Sequence, residues 1–210
     1  SRGIDGVNLS VNRGEIFGFL GPNGAGKSTM LRLLLNSLSP TKGSASVLGF
    51  DCQEEYVEAH KNIGSFSSDI SLYEHMKGFE LLAYLADLRG SINQEYTNYI
   101  AQKLQCDLSR PIHTLSSGNK TKVGLVAALM HRPKVLILDE PTTGLDPIVR
   151  QNVFGLLRDL RNEGCTVLLS SHDLTEVERI CDRVAIIREG RLVAVTRIDD
   201  LQQANLHHLS

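Results

Sequence analysis

The stretch Glu15–Met30, "EIFGFLGPNGAGKSTM", decides the architecture. Its first part, "EIFGFL", is a short apolar strand. A helix is expected from Lys27 to about Leu38, closed by Ser39-Pro40. Between them, Gly21 to Ser28 carry the spacing G-x-x-x-x-G-K-[ST]. A strand before and a helix after make this spacing a P-loop rather than a glycine-rich turn. Gly21, Gly24 and Gly26 let the backbone turn its N–H groups inward around a phosphate, with Pro22, Asn23 and Ala25 completing the loop. The helix N-terminus adds partial positive charge. Lys27 reaches the β- and γ-phosphates, Ser28 offers its hydroxyl to Mg²⁺, and Thr29 reaches the α-phosphate. These residues are expected to bind a nucleoside triphosphate.

Working outward, "KVLILDEP" gives four apolar residues and then Asp139 and Glu140. Ligands of open α/β sheets bind outside the carboxyl ends of the strands. Asp139 is expected to meet Mg²⁺ through water, and Glu140 to polarise a water for in-line attack on the γ-phosphate. "VLLSSHD" repeats the geometry and puts His172 at a third strand tip, where it can sense the γ-phosphate and position the water. A lone His after a strand is more often a surface or capping residue. Its company decides against that here.

The rest of the chain supplies the scaffold. "VNLSV" alternates as an entering strand, and "SASVLG" and "NIGSF" read as further short strands. From 131 onward strands and helices alternate, which builds a mostly parallel sheet with helices on both faces. "EGRLVAV" adds an edge hairpin. Residues 68–130 read as helices: Met76, Phe79, Leu82 and Leu85 recur at helical spacing, and Gln94–Leu104 follows suit. The expectation is an α/β fold: a P-loop NTPase core with mostly parallel sheet, N-terminal antiparallel β strands and an inserted helical subdomain. It is one domain over 1–210, with 1–67 and 131–210 as core and 68–130 as insert.

Composition narrows the class. The 22 Lys+Arg against 24 Asp+Glu give a net charge of −2, with no basic tract, so no nucleic acid partner is expected. Cys52, Cys106, Cys165 and Cys181 form no CxxC pair, which fits a reducing compartment. The longest apolar run, "VGLVAALM", is far short of a membrane span.

One stretch resists this chemistry. "TLSSGNKTKVGLVAAL", Thr114–Leu129, is a polar loop before a helix and offers no base, nucleophile or strong metal ligand. Alone it reads as an N-cap followed by a buried stripe of Val123, Val126, Ala127 and Met130. In order, the P-loop, this loop, "LILDEPTTGLDP" and "SSHD" resemble the ATPase domain of ABC transporters, from about Val7 to Val195. The resemblance implies that two such domains pair head to tail, as homo- or heterodimer. The "LSGGQ"-type loop of each then closes on the ATP held by the other. Ser116, Gly118 and the helix beginning near Asn119 would cap the partner's γ-phosphate. Asp146 matches the loop that communicates across the dimer.

The resemblance further implies ATP and Mg²⁺, a transmembrane permease subunit, and a peripheral place at the cytoplasmic face of the membrane, in a bacterial exporter. The family docks its membrane partner around Ser68–Leu85, where Tyr73, Met76 and Phe79 are candidate contacts, with core packing the favoured reading for Phe79. Adenine specificity is inherited from the resemblance, since the stacking aromatic lies upstream of Ser1 in the family. Two positions depart from the pattern. The loop reads "LSSGN", and a gap-free alignment puts Ser68, followed by Asp69, where the family carries a Mg²⁺-contacting Gln. Two rival readings are a soluble ABC ATPase acting on ribosomes or DNA, and a degenerate domain that binds ATP for regulation.

Overall fold

The computed structural model of the chain describes residues 3–68, 73–90 and 92–207. Its strands are β1 (Ile16–Leu20), β2 (Ser46–Val47), β3 (Phe50–Asp51), β4 (Ile63–Ser67), β5 (Val135–Asp139), β6 (Thr166–Ser171), β7 (Arg183–Arg188) and β8 (Arg191–Arg197). Six of them form one sheet in the order β4-β5-β6-β1-β7-β8, and β2 and β3 pair separately as an antiparallel ribbon. Every pairing in the large sheet is parallel except β7 with β8. The fold is thus the expected α/β one.

Parallel strands covered on both faces need apolar residues in both registers. β5 and β6 meet this condition: all their residues are buried. Leu136, Leu138, Val167 and Leu169 point into the larger core, under helices α4 (Gln94–Lys103), α5 (Ser117–Leu129), α6 (Pro147–Asn162) and α7 (Leu174–Ile180). Val135, Ile137 and Leu168 point the other way, joining Phe17, Phe19 and Leu31 of helix α1 (Lys27–Leu34) and Ala59 of helix α2 (Tyr56–Lys61). Helix α3 (Gly78–Arg89) packs Leu81 with Ile112, Leu115 and Val123 in a smaller cluster. Helix α8 (Ile198–His207) follows β8.

Four local expectations change. Val7–Val11 is not a strand. The backbone nearby makes only isolated contacts, such as Asp5 N–H to Gly190 O and Arg183 to Ser10 O, and a strand needs a laddered neighbour. Leu9 and Val11 still pack on the core. Helix α1 stops at Leu34 because Asn36 turns left-handed (φ 51°) and the Ser37 N–H folds back to Arg32 O. Helix α5 starts at Ser117 rather than near Asn119. Phe79 is exposed rather than core, because Leu81 and Leu82 take the buried face of α3. α2 and β3 lie outside the elements expected from the sequence.

Candidate functional site

Register brings the expected groups to one edge. Leu20, the last residue of β1, lies beside Ser171 of β6. Ser170 lies beside Asp139 of β5, and Asp139 beside Ser67 of β4. The loops after four parallel strands therefore open at the same end of the sheet. They carry the phosphate loop, Glu140, His172 and Ser68.

The phosphate loop is shaped by close approaches as well as by glycine freedom. A Cβ on Gly21 would meet the Ile187 carbonyl at 2.3 Å, so only glycine fits between β1 and β7. Gly26 has φ 109°, and Gly190 braces the loop from behind through its N–H to Ala25 O. Pro22, Asn23 and Gly24 are exposed, whereas Ala25, Gly26 and Lys27 are buried. Lys27 Nζ donates to Gly21 O at 2.7 Å and Pro22 O at 3.2 Å. Ser28 and Thr29, both half-buried, stand in the first turn of α1. That turn has no side-chain cap and no acidic residue, so its N–H groups and dipole suit an anion.

Glu140 is the hub of the edge. Its Oε1 is 3.5 Å from Lys27 Nζ, and its Oε2 is 3.2 Å from His172 Nδ1. Its backbone is left-handed at φ 49°, an uncommon conformation for a residue with a side chain. Ser170 fixes it there: the Glu140 N–H donates to Ser170 Oγ at 3.0 Å, and that hydroxyl donates to Asp139 Oδ1. Asp139 is buried and Glu140 keeps limited access to solvent. A carboxylate between an ammonium and an imidazole can hold and orient a water and take its proton. Ser28 and Asp139 offer hard oxygen ligands, few in number, which suits an ion that keeps waters and substrate phosphates. Ser68 is exposed directly after β4, and Asp69 lies outside the described residues.

The remaining expected residues stand apart. Ser116 caps α5, its Oγ accepting the Asn119 N–H at 3.4 Å. Gly118 packs so tightly on the loop after Glu140 that a Cβ would meet Gly144 O at 2.4 Å. Among the described residues, no hydrogen bond or ion pair joins 116–119 to the chain's own phosphate loop. Asp146 caps α6 by accepting the Val149 and Ile148 N–H groups. The Val149 bond leads in holding its carboxyl below the usual range.

Sequence reasoning missed Ser170 and Glu176. Glu176 accepts Thr142 and Ser171 hydroxyls and pairs with Arg150 at 3.1 Å. Ser170 sits in "SSH", where a polar residue inside a buried strand was the available signal.

A family profile described as ABC transporter matches residues 4–143. The chain is 37% identical over 94% of its length to an uncharacterized ABC transporter ATP-binding protein, YhcH, of Bacillus subtilis, covering 66% of that protein. It is 35% identical over 96% of its length to the bacitracin transport ATP-binding protein BcrA of Enterococcus faecalis, covering 67%. The chain thus spans about two thirds of the length of these relatives. A solved ATP binding subunit of an ABC transporter superposes with TM-score 0.86 at 28% identity, covering 96% of this chain and 86% of that one. A dimeric bacterial ABC transporter cassette superposes with TM-score 0.84 at 23% identity, covering 93% and 90%, a likeness of fold.

Proposed function

Because this chain belongs to the ABC transporter family, we propose that it is the ATP-hydrolysing subunit of a transporter, pairing head to tail with a second copy of itself. The observation that carries the reading is the Glu140 carboxylate held between Lys27 and His172 at the carboxyl edge of the sheet.

In this reading the α1 N-terminus and Lys27 bind the phosphates of ATP. Ser28 and Asp139 would hold Mg²⁺, which would supply positive charge to the triphosphate. Glu140 takes the proton of the attacking water, and His172 keeps carboxylate and water aligned. The second chain brings Ser116 and the first-turn N–H groups of α5 against the γ-phosphate. Gly118 then serves by letting α5 seat on Gly144. ATP binding closes the pair and hydrolysis reopens it.

A membrane subunit converts that cycle into transport and supplies the crossing. No helix among the described residues of this chain is long and apolar enough to cross a membrane. The exposed Tyr73 and Phe79 of the 68–130 unit face such a partner at the cytoplasmic side. The similarity to BcrA, a protein named for bacitracin transport, supports transport as the work this cycle drives, and we take its direction to be export.

Glu140→Gln tests the reading. It removes the base and one negative charge beside the γ-phosphate, so hydrolysis is expected to fall at least about a hundredfold. ATP affinity is kept, and sizing with Mg-ATP shows more dimer than wild type. Wild-type turnover in this variant would contradict the assignment.

A further inference from the structure

We propose that Glu176 is a positioning residue that locks the Glu140 loop and the His172 loop into one unit. The inference rests on the hydrolytic reading of that pair. Glu176 lies in the first turn of α7, with its side chain 13% exposed. Its carboxylate accepts from two loops at once. The Thr142 hydroxyl, two residues beyond Glu140, lies 3.0 and 2.9 Å from its two oxygens. The Ser171 hydroxyl, immediately before His172, lies 3.0 Å from Oε2. Ser171 Oγ in turn accepts the Asp173 N–H at 3.0 Å, so the chain is held on both sides of His172.

Arg150 completes the group. It comes from the first turn of α6, just after the Asp146 cap, and its Nη1 is 3.1 Å from Glu176 Oε1. It neutralises a carboxylate that would otherwise be costly to bury. One side chain thus joins the base loop, the histidine loop and the helix behind Asp146.

Alignment of the pair needs such a clamp. Glu140 holds a left-handed backbone, which persists only where surrounding contacts over-determine it. Thr143 N–H to Glu140 O and Ser170 Oγ hold the turn from inside. Glu176 ties that turn, through side chains, to the residues flanking His172, and the 3.2 Å contact between Glu140 and His172 depends on both loops. A glutamine there would offer one acceptor instead of two oxygens and turn an NH₂ toward Arg150 or the hydroxyls.

The test uses the full-length protein and four variants: Glu176→Gln, Thr142→Val, His172→Ala and the double variant Glu176→Gln/His172→Ala. Steady-state ATP hydrolysis is read with the affinity for a fluorescent ATP analogue and the unfolding temperature. Glu176→Gln and Thr142→Val are each expected to lower turnover about tenfold, with affinity held within about twofold. Added to His172→Ala, Glu176→Gln should cost less than about twofold more, because the pair it aligns is already broken. Undiminished turnover in Glu176→Gln, affinity falling in step with turnover, or a full tenfold loss persisting on His172→Ala would overturn the positioning role. Should Glu176→Gln fold poorly, Thr142→Val decides the matter by the same readouts. Wild-type turnover in Glu140→Gln would overturn the hydrolytic reading and this inference with it. Loss in Glu140→Gln beside normal turnover in Glu176→Gln would overturn this inference alone.

Discussion

Lys27 carries a full charge at 4% exposure, satisfied by two loop carbonyls and the Glu140 carboxylate. Phosphate oxygens are stronger partners than neutral carbonyls, so the ammonium is poised to exchange one set for the other. Lys27→Ala is expected to weaken binding of a fluorescent ATP analogue by about a hundredfold, the scale of one charge-assisted hydrogen bond. Unchanged binding would contradict the phosphate-loop reading. Ser68 makes a subtler case. It follows β4 one residue beyond the partner of Asp139, and its side chain reaches less far than a glutamine's would. Ser68→Gln is expected to lower the Mg²⁺ concentration for half-maximal hydrolysis about threefold, by adding a direct oxygen ligand. Ser68→Ala should leave it nearly unchanged. The decisive result is a Mg²⁺ titration of ATPase rate, and lost activity in Ser68→Ala without gain in Ser68→Gln would make Ser68 a participant.

The 78–130 helices meet the sheet at a polar joint. Just beyond α5, His131 Nε2 lies 3.2 Å from Ile63 O at the start of β4, and Arg89 of α3 reaches the same carbonyl at 3.4 Å. Burial, reinforced by the Arg89 charge, lowers the His131 pKa from 6.5 to about 4. The sign follows from linkage: the unfolded ring takes a proton near 6.5, whereas the folded ring stays neutral until about 4. Stability from this residue is therefore whole above pH 6.5 and is lost as pH falls to about 4. His131→Gln should flatten the unfolding temperature against pH over that window relative to wild type, while the carboxylates titrate alike in both. Equal slopes would contradict the buried neutral ring. Elements marked by local pattern were legible: β1 and α1 from their flanking glycines, β5 from its apolar run Val135–Leu138, and β6 from the shorter apolar core Val167–Leu169. Val7–Val11 misled because its alternation records burial of Leu9 and Val11 on the core, not a ladder. Ser170 and Glu176 were illegible for another reason. Their partners lie 31 and 34 residues away, and "TEVERI" alone shows a helix with no sign of where Glu176 would find partners.

At the scale of the molecule, the sheet edge collects an uncapped helix end, the Glu140 carboxylate and a histidine, while no hydrogen bond or ion pair among the described residues joins Ser116 and the start of α5 to the phosphate loop. In the proposed pair a second chain brings them together, and the Gly118–Gly144 contact links each chain's α5 to the loop beyond its own Glu140. Mixing two inactive variants tests this arrangement most directly. Ser116→Arg puts bulk where the partner's γ-phosphate must sit, and it sacrifices only a 3.4 Å cap bond. Lys27→Ala disables the phosphate loop. In a head-to-tail pair of the two, one site combines both defects. The other joins the intact phosphate loop of the Ser116→Arg chain to the intact α5 loop of the Lys27→Ala chain. Random pairing at equal amounts makes about half the dimers mixed, each with one whole site, so hydrolysis should recover to about a quarter of wild type. No recovery above the separate variants would mean that α5 serves its own chain's nucleotide, and the head-to-tail site would be wrong.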